Sequence, residues 1–246
     1  MSKQQPDISK RLLWRAASSV HNWRDRALPY QLIKAAVAHG LVGATDWIEV
    51  GIRAGGRRAT RVEPDDLALE LFRLAPQAAD QIAVSAGGTE PRYWDLHVRL
   101  EPFDPETKQV EGYSMINLEF DMPAEVDAAY SADLIEMFKG VHSPGNTEFA
   151  CIHPYVRLLQ LAAVGYAPPL VFAPMLAGIY WANFLGPGHL DKFDAERLRG
   201  LSAYLVEFVG DEGLLLVVSP RVDEATTEQV EREMQRLTDE FRRALK

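Results

Sequence analysis

The residue types that most often carry out chemistry are present in this chain, but their spacing matches no familiar catalytic or metal-binding motif. Cys151 and His153 are two residues apart and on a strand would face the same side, as a nucleophile and its base can. No orienting acid or oxyanion loop can be assigned to them, and His153-Pro154 is typical of a turn, so we expect both to be structural. No two histidines share a metal-ligand spacing on one element, the six being His21, His39, His97, His142, His153 and His189.

Two further segments match a functional motif only in part. Ser143 is followed by Pro144-Gly145 but lacks the Gly-x-Ser-x-Gly frame of a nucleophile elbow. The glycine- and arginine-rich run 53–61 lacks the Gly-Lys-Ser/Thr of a phosphate-binding loop, so it predicts an exposed loop. The sequence therefore predicts a protein that is not an enzyme and needs no cofactor or metal. Because sites can be assembled from distant loops, a small-molecule enzyme or ligand-binding protein, with a pocket between two lobes of the fold, stays an alternative.

Charge is distributed unevenly along the chain. The 246 residues have a net charge of −9, and residues 101–148 alone hold 11 Asp and Glu against 2 Lys and Arg. Such an excess repels phosphates, so it disfavours nucleic acid as a ligand and favours a basic partner, although a merely solvated face fits equally well. Residues 101–111 are predicted to form a loop whose carboxylates reach solvent. The acids predicted to contact the partner are Glu101, Asp104, Glu106, Glu111, Glu119 and Asp121.

Composition and segment pattern favour a cytoplasmic protein. A single cysteine excludes an internal disulfide framework and fits a reducing compartment. The first residues contain no apolar stretch typical of a signal peptide. Residues 158–190 contain no charged side chain and are long enough to cross a bilayer, but four prolines and four glycines interrupt them. We therefore interpret this stretch as buried strand and loop, and expect no membrane contact.

The N-terminal third is predicted to be mainly helical. After a flexible tail over 1–7, apolar residues at three- and four-residue steps predict a helix over 8–26. Pro29 and Gly40 bracket a second helix, and alternation over 47–52 predicts a strand. Asp65 or Asp66 is expected to cap a further helix, whose apolar residues are Leu67, Leu71 and Leu74.

The rest of the chain shows the order strand, strand, helix twice. The first set covers strands near 94–100 and 115–120 and a helix over 125–139. The second covers strands over 204–209 and 214–218, joined by a tight turn, and a helix over 224–245. We therefore predict a single α+β domain over 8–246, with mainly antiparallel sheets and packed helices. Its helical part would be 8–85, and its two similar strand-strand-helix lobes would lie near 90–152 and 176–246.

The run 178–188 is apolar and rich in aromatic residues, which predicts a buried strand. Its one polar side chain, Asn183, needs a hydrogen-bond partner if it is buried. Gly186-Pro187-Gly188 should end the strand and turn the chain. The residues that we predict to be structural are Tyr180, Trp181, Asn183, Phe184, Gly186 and Pro187.

The same run carries a family resemblance. The segment Tyr180-Trp181-Ala182-Asn183-Phe184-Leu185-Gly186-Pro187, a short helix-like piece and the apolar hairpin over 204–220 resemble the C-terminal part of a bacterial family of type VI secretion immunity proteins, formerly a domain of unknown function. The resemblance covers about residues 90–246 in element order and is specific at this segment. It implies a cytoplasmic antitoxin that binds and blocks a cognate effector toxin, often a nuclease. It supplies no catalytic residues, and the sequence leaves a homodimer open.

Overall fold

A single large antiparallel sheet organises the chain in the computed structural model, which describes residues 8–18, 23, 27–51, 57–59, 66, 82–90, 92–101, 103–104, 106, 109–110, 114–157, 178–210 and 212–246. Ten of the described strands form this sheet, and every neighbouring pair in it is antiparallel. Across the sheet they are β11 (Leu205–Val209), β12 (Gly213–Val217), β10 (Ala182–Leu185), β9 (Phe149–Pro154), β1 (Arg11–Ser18), β8 (Ser114–Asp121), β5 (Trp94–Leu100), β4 (Ile82–Gly88), β2 (Trp47–Gly51) and β3 (Arg57–Ala59).

The α+β class with antiparallel pairing is confirmed. Both predicted strand-strand-helix units occur in the expected order, the first ending in helix α2 (Ala128–Val141) and the second in helix α5 (Glu228–Arg243). Their strands, however, belong to one continuous sheet, with β10, β9 and β1 between them. The division into two lobes is therefore not confirmed.

Strand β1 corrects the prediction of a helix over 8–26. It lies in the middle of the sheet, paired with β8 on one side and β9 on the other. Leu12 and Trp14 are buried in the core on one face, and Leu13 and Ala17 in a second core on the other. A strand buried on both faces is apolar at nearly every position, so it also satisfies helical three- and four-residue steps. Within the described residues of the part predicted to be mainly helical, 8–85, four strands (β1, β2, β3 and β4) thus accompany one α-helix of more than one residue, α1.

Two helices cover one face of the sheet. Helix α1 (Ala27–Ala38) ends near Gly40, whose φ of 66° favours glycine, which confirms the helix predicted between Pro29 and Gly40. Helix α2 is capped by Asp127, whose carboxylate accepts a hydrogen bond from the backbone N–H of Tyr130 at 2.7 Å. Both helices pack against β1, β8 and β5, so the larger core lies between this pair and the sheet.

Helix α5 packs on the opposite face, over the end of the sheet that holds β9, β10 and β12. One side of this helix, predicted over 224–245, is buried there through Val230, Met234, Leu237 and Phe241. The hairpin that joins β11 to β12 begins at Gly210, which has a φ of 63°. On β1, β8 and β5 this same face of the sheet carries mainly polar side chains.

The second half of the aromatic run forms the predicted interior strand, which begins one residue after Trp181 rather than containing it. Trp181 has 0% exposure, and β10 follows it directly, between β12 and β9. The Asn183 side chain closes a loop on the backbone of Tyr180: its Oδ1 accepts from the Tyr180 N–H at 2.9 Å, and its Nδ2 donates to the Tyr180 carbonyl at 2.8 Å. The hydrogen-bond partner predicted for a buried Asn183 is thus confirmed. At Gly186 a Cβ would lie 2.1 Å from the Thr147 carbonyl oxygen, so only glycine fits.

Pro187 begins helix α3 (Pro187–Leu190), which confirms the predicted end of the strand; the short helix α4 (Ala195–Arg199) follows. Within the described ranges, no helix is both long and apolar enough to cross a membrane. The predicted tail 1–7, most of the run 53–61, the helix after Asp66 and residues 158–177 lie outside these ranges. Arg57–Ala59 is an edge strand rather than the predicted loop.

Candidate functional site

The polar half of the sheet face brings together charged residues from three strands. Alternation along β8 and β5 buries every second side chain and presents the others on this face. Cross-strand pairing then sets Asp95 opposite Glu119 and Asp121 opposite Arg11. We call this set the polar face; its members are Arg11, Arg15, Tyr93, Asp95, His97, Asn117, Glu119 and Asp121.

Arg11 is the centre of the polar face. It is only 6% exposed, and its Nε donates to Asp121 Oδ1 at 3.1 Å while its Nη1 lies 3.9 Å from Glu119 Oε2. Its guanidinium also lies over the Tyr93 ring, 3.7 Å from the ring centroid. Two of the acids predicted to contact a partner, Glu119 and Asp121, are therefore paired with a buried cation within the chain.

Three groups on the polar face hold protons more tightly than usual. Burial, and after it the neighbouring Asp95 carboxylate, raises the pKa of Glu119. The same two causes raise the pKa of Tyr93 to about 12. A hydrogen bond to Asp95 raises the pKa of His97, whose Nε2 lies 3.3 Å from Asp95 Oδ1. Burial and the closely placed carboxylates thus favour the protonated form of Glu119 and Tyr93, and Asp95 favours that of His97.

The remaining predicted contact acids are scattered. Glu101 is 5% exposed, and its carboxylate accepts a hydrogen bond from Arg99 Nε at 2.5 Å, so the expectation that it reaches solvent is wrong. Its backbone N–H donates a hydrogen bond to Ser114 Oγ at 3.2 Å, just after the end of β5. Asp104 lies in a small hairpin of β6 (Phe103–Asp104) and β7 (Gln109–Val110), with Glu106 exposed in its turn. Glu111 lies outside the described residues.

Sequence reasoning did not single out the exposed acids on and before helix α2. Asp133 has a 72% exposed side chain, and Glu125 and Glu136 are also exposed. The signal was present in the sequence, because all three lie outside the apolar stripe of a helix predicted at this place. Among the described residues of segment 101–148, exposed acids thus lie before and along α2 and in the β6–β7 turn.

A groove of about 600 Å³ runs between helices α1 and α2. Met137 and Val141 form part of its floor and are buried, whereas Tyr30 at its edge is 41% exposed. His39 Nδ1 lies 3.5 Å from Asp133 Oδ2, which links the two helices. The described residues that line the groove are Tyr30, Gln31, Lys34, Ala35, His39, Glu136, Met137, Gly140 and Val141.

The sequence candidates for catalysis lie in the core. Cys151 and His153 are both on β9, so His153-Pro154 continues a strand and the predicted turn is wrong. Burial raises the pKa of the Cys151 thiol to about 12 and lowers the pKa of His153 to about 3, the opposite of an activated pair. His153 Nδ1 instead accepts a hydrogen bond from the Trp181 N–H at 3.3 Å. Both residues thus have structural surroundings, as predicted.

His142 is structural in the same way. Its Nε2 accepts a hydrogen bond from Trp14 Nε1 at 2.9 Å, and its Nδ1 lies 2.9 Å from Thr147 Oγ1. Burial lowers its pKa to about 3. Among the residues that the structure describes, no three His, Cys, Asp or Glu side chains are arranged to hold a metal ion.

Comparison with known proteins yields a likeness of fold. No protein-family model matches the chain, and no curated protein sequence shows significant similarity to it. Among solved structures, the Pseudomonas aeruginosa T6SS protein PA0821 superposes with a TM-score of 0.59 at 13% sequence identity. The match covers 98% of this chain and 76% of that protein. The chain therefore shares its fold, over nearly its whole length, with a protein of a bacterial type VI secretion system.

Proposed function

We propose that this chain is a cytoplasmic immunity protein, an antitoxin that binds a cognate secreted effector toxin and blocks it. The observation that carries this proposal is the fold shared with a T6SS protein over 98% of the chain. The segment Tyr180–Pro187 supports it independently, since it resembles type VI secretion immunity proteins and forms the interior strand β10 with its flanking turn. A shared fold alone does not fix a function, so the toxin itself must supply the test.

The proposed mode of inhibition is masking of the toxin's substrate-binding surface. A nuclease must present a basic surface to phosphates, and segment 101–148 carries the opposite charge. Exposed acids among the described residues of this segment, which include Glu106, Glu125, Asp133 and Glu136, would contact such a surface. Glu119 and Asp121 would contribute less, because Arg11 already balances them.

Co-expression tests the proposal directly. The secreted protein encoded by the adjacent open reading frame should arrest growth when expressed in the cytoplasm, and this chain should restore growth. Purified chain should also inhibit that protein at a one-to-one ratio, because masking needs no turnover. Continued growth arrest, together with no binding between the two purified proteins, would refute the immunity function.

Charge reversal tests the acidic contact. We expect Glu106→Lys, Glu125→Lys and Asp133→Lys together to slow association by about tenfold or more and to flatten its salt dependence. The matched control reverses three exposed acids outside segment 101–148, namely Glu196, Glu212 and Glu228. Equal association rates and salt slopes for the two triple variants would show that overall charge, not this surface, governs binding.

A second candidate is a small-molecule enzyme or ligand-binding protein, and the groove between α1 and α2 is the feature that favours it. Its volume of about 600 Å³ lies within the range of about 300–1,000 Å³ typical of ligand clefts. It lies between helices rather than between two lobes. We expect the purified chain to have no hydrolase or nuclease activity. Metal-dependent DNA cleavage that a point substitution in this chain abolishes would favour the enzyme instead.

A further inference from the structure

The groove between α1 and α2 is built by matching faces of the two helices. From α1 it takes positions 30, 31, 34 and 35, and from α2 positions 136, 137, 140 and 141. Each set has the spacing i, i+1, i+4 and i+5, which places its members on one side of a helix. The groove is therefore a cleft walled by one side of each helix, and such a groove can accept a helical segment of a partner.

An exposed aromatic residue and an open glycine lie on opposite walls of this cleft. Tyr30 is one of two exposed large apolar side chains among the described residues, the other being Tyr204. Gly140 lies on the facing wall, and a Cβ placed on it would meet nothing within 4 Å. Beneath them the buried side chains of Met137 and Val141 supply an apolar floor. An aromatic residue beside an apolar pocket is a frequent anchor point of protein interfaces.

The two walls of the cleft carry opposite charges. Lys34 lines the α1 wall and Glu136 lines the α2 wall, whereas His39, which also lines the cleft, is paired with Asp133. An amphipathic helix would complement both walls if its apolar stripe faced the floor, its basic residues faced α2 and its acidic residues faced α1. A small ligand of one charge would meet one repelling wall.

We propose that the cleft binds an amphipathic helix of the effector toxin, with apolar side chains seated between Tyr30 and Gly140. This inference rests on the proposed immunity function and names the surface and partner chemistry that it would use. Bound in this way, the helix would place the toxin against the exposed acids of α2, so the apolar anchor and the charged contact would be neighbours.

Side chains of increasing size at Gly140 test whether the toxin binds in the cleft. The probe is the protein encoded by the adjacent open reading frame, titrated with purified variants by calorimetry. Gly140→Ala should bind as the wild type does, whereas Gly140→Trp fills the cleft and should weaken binding at least about tenfold. Because the added atoms enter open space in a helix, both variants should melt at or above the wild-type temperature.

Tyr30→Ala should weaken binding by a similar factor, since it removes the aromatic anchor. The matched controls are Tyr204→Ala, on the other exposed tyrosine, and Gly200→Trp, where a Cβ meets only ordinary contacts at 3.5 Å. Both controls should bind within about twofold of the wild type.

The outcomes separate this inference from the proposed function. If the wild type protects against the toxin and Gly140→Trp binds it equally well, the cleft proposal is overturned while the immunity function stands. If Gly140→Trp instead converts a dimer of this chain to a monomer without affecting toxin binding, the cleft holds a second copy and the proposal is also wrong. If the wild type binds no toxin, both proposals fall together.

Discussion

Two buried histidines should make this protein sensitive to mild acid. His142 accepts a hydrogen bond from the Trp14 indole, and His153 accepts one from the Trp181 backbone N–H. A ring nitrogen that accepts a hydrogen bond has no room for a proton, so protonation must break the bond. Burial lowers the pKa of both imidazoles to about 3.

Because these pKa values differ between the folded and unfolded states, the free energy of unfolding depends on pH. An unfolded histidine has a pKa of about 6.5, so between pH 3 and 6.5 the unfolded state binds more protons than the folded state. The stability due to each neutral histidine is complete above pH 6.5 and is lost as the pH falls. Each histidine lowers the free energy of unfolding by about 1.4 kcal/mol per pH unit below pH 6.5, or by about 2 kcal/mol at pH 5. Together they remove about 4 kcal/mol from a total that is typically about 5–15 kcal/mol.

Urea unfolding from pH 7.5 to 5, followed by circular dichroism, measures this loss. In His142→Gln the amide oxygen can accept the Trp14 hydrogen bond but does not titrate, so the slope of stability against pH should fall by about half. His97→Gln is the control, because the raised pKa of His97 places its effect above pH 6.5. Identical slopes below pH 6.5 for the wild type and His142→Gln would refute the argument.

Three further substitutions test the packing and charge described above. Trp181→Ala should cost about 3–5 kcal/mol in urea unfolding, because the side chain is fully buried, whereas Tyr204→Ala, at 55% exposure, should change stability by less than about 0.5 kcal/mol. Asn183→Leu leaves the buried N–H and carbonyl of Tyr180 without their hydrogen-bond partner and should lower the free energy of unfolding by about 2–3 kcal/mol. An unchanged melting temperature would contradict these two hydrogen bonds. Glu119→Gln should gain stability relative to the wild type as pH rises, since ionised Glu119 is disfavoured by burial and by Asp95; a pH-independent difference would disprove this.

The periodic pattern of apolar and polar residues is sufficient to locate strands and helices that bury one face only. Strands β5 and β8 and helices α2 and α5 were predicted because their polar residues mark the period, and the tight turn at Gly210 separates two apolar runs. The family-like segment around Trp181 was also identified from its residues alone, as an apolar run that contains one amide and ends at Gly186-Pro187. Local sequence determined these features because each depends on neighbours along the chain.

Tertiary structure decided what depends on distant partners. Strand β1 is apolar on both faces, so only its pairing with β8 and β9 distinguishes it from a helix. Glu101 is buried because Arg99 and Ser114 hold it, and Arg11 balances Glu119 and Asp121 across strands that are more than 100 residues apart. The groove exists only because α1 and α2 lie side by side on the sheet. Sequence thus determined that the chain carries excess acid, and the fold determined which of the described acids are exposed and which are buried or paired.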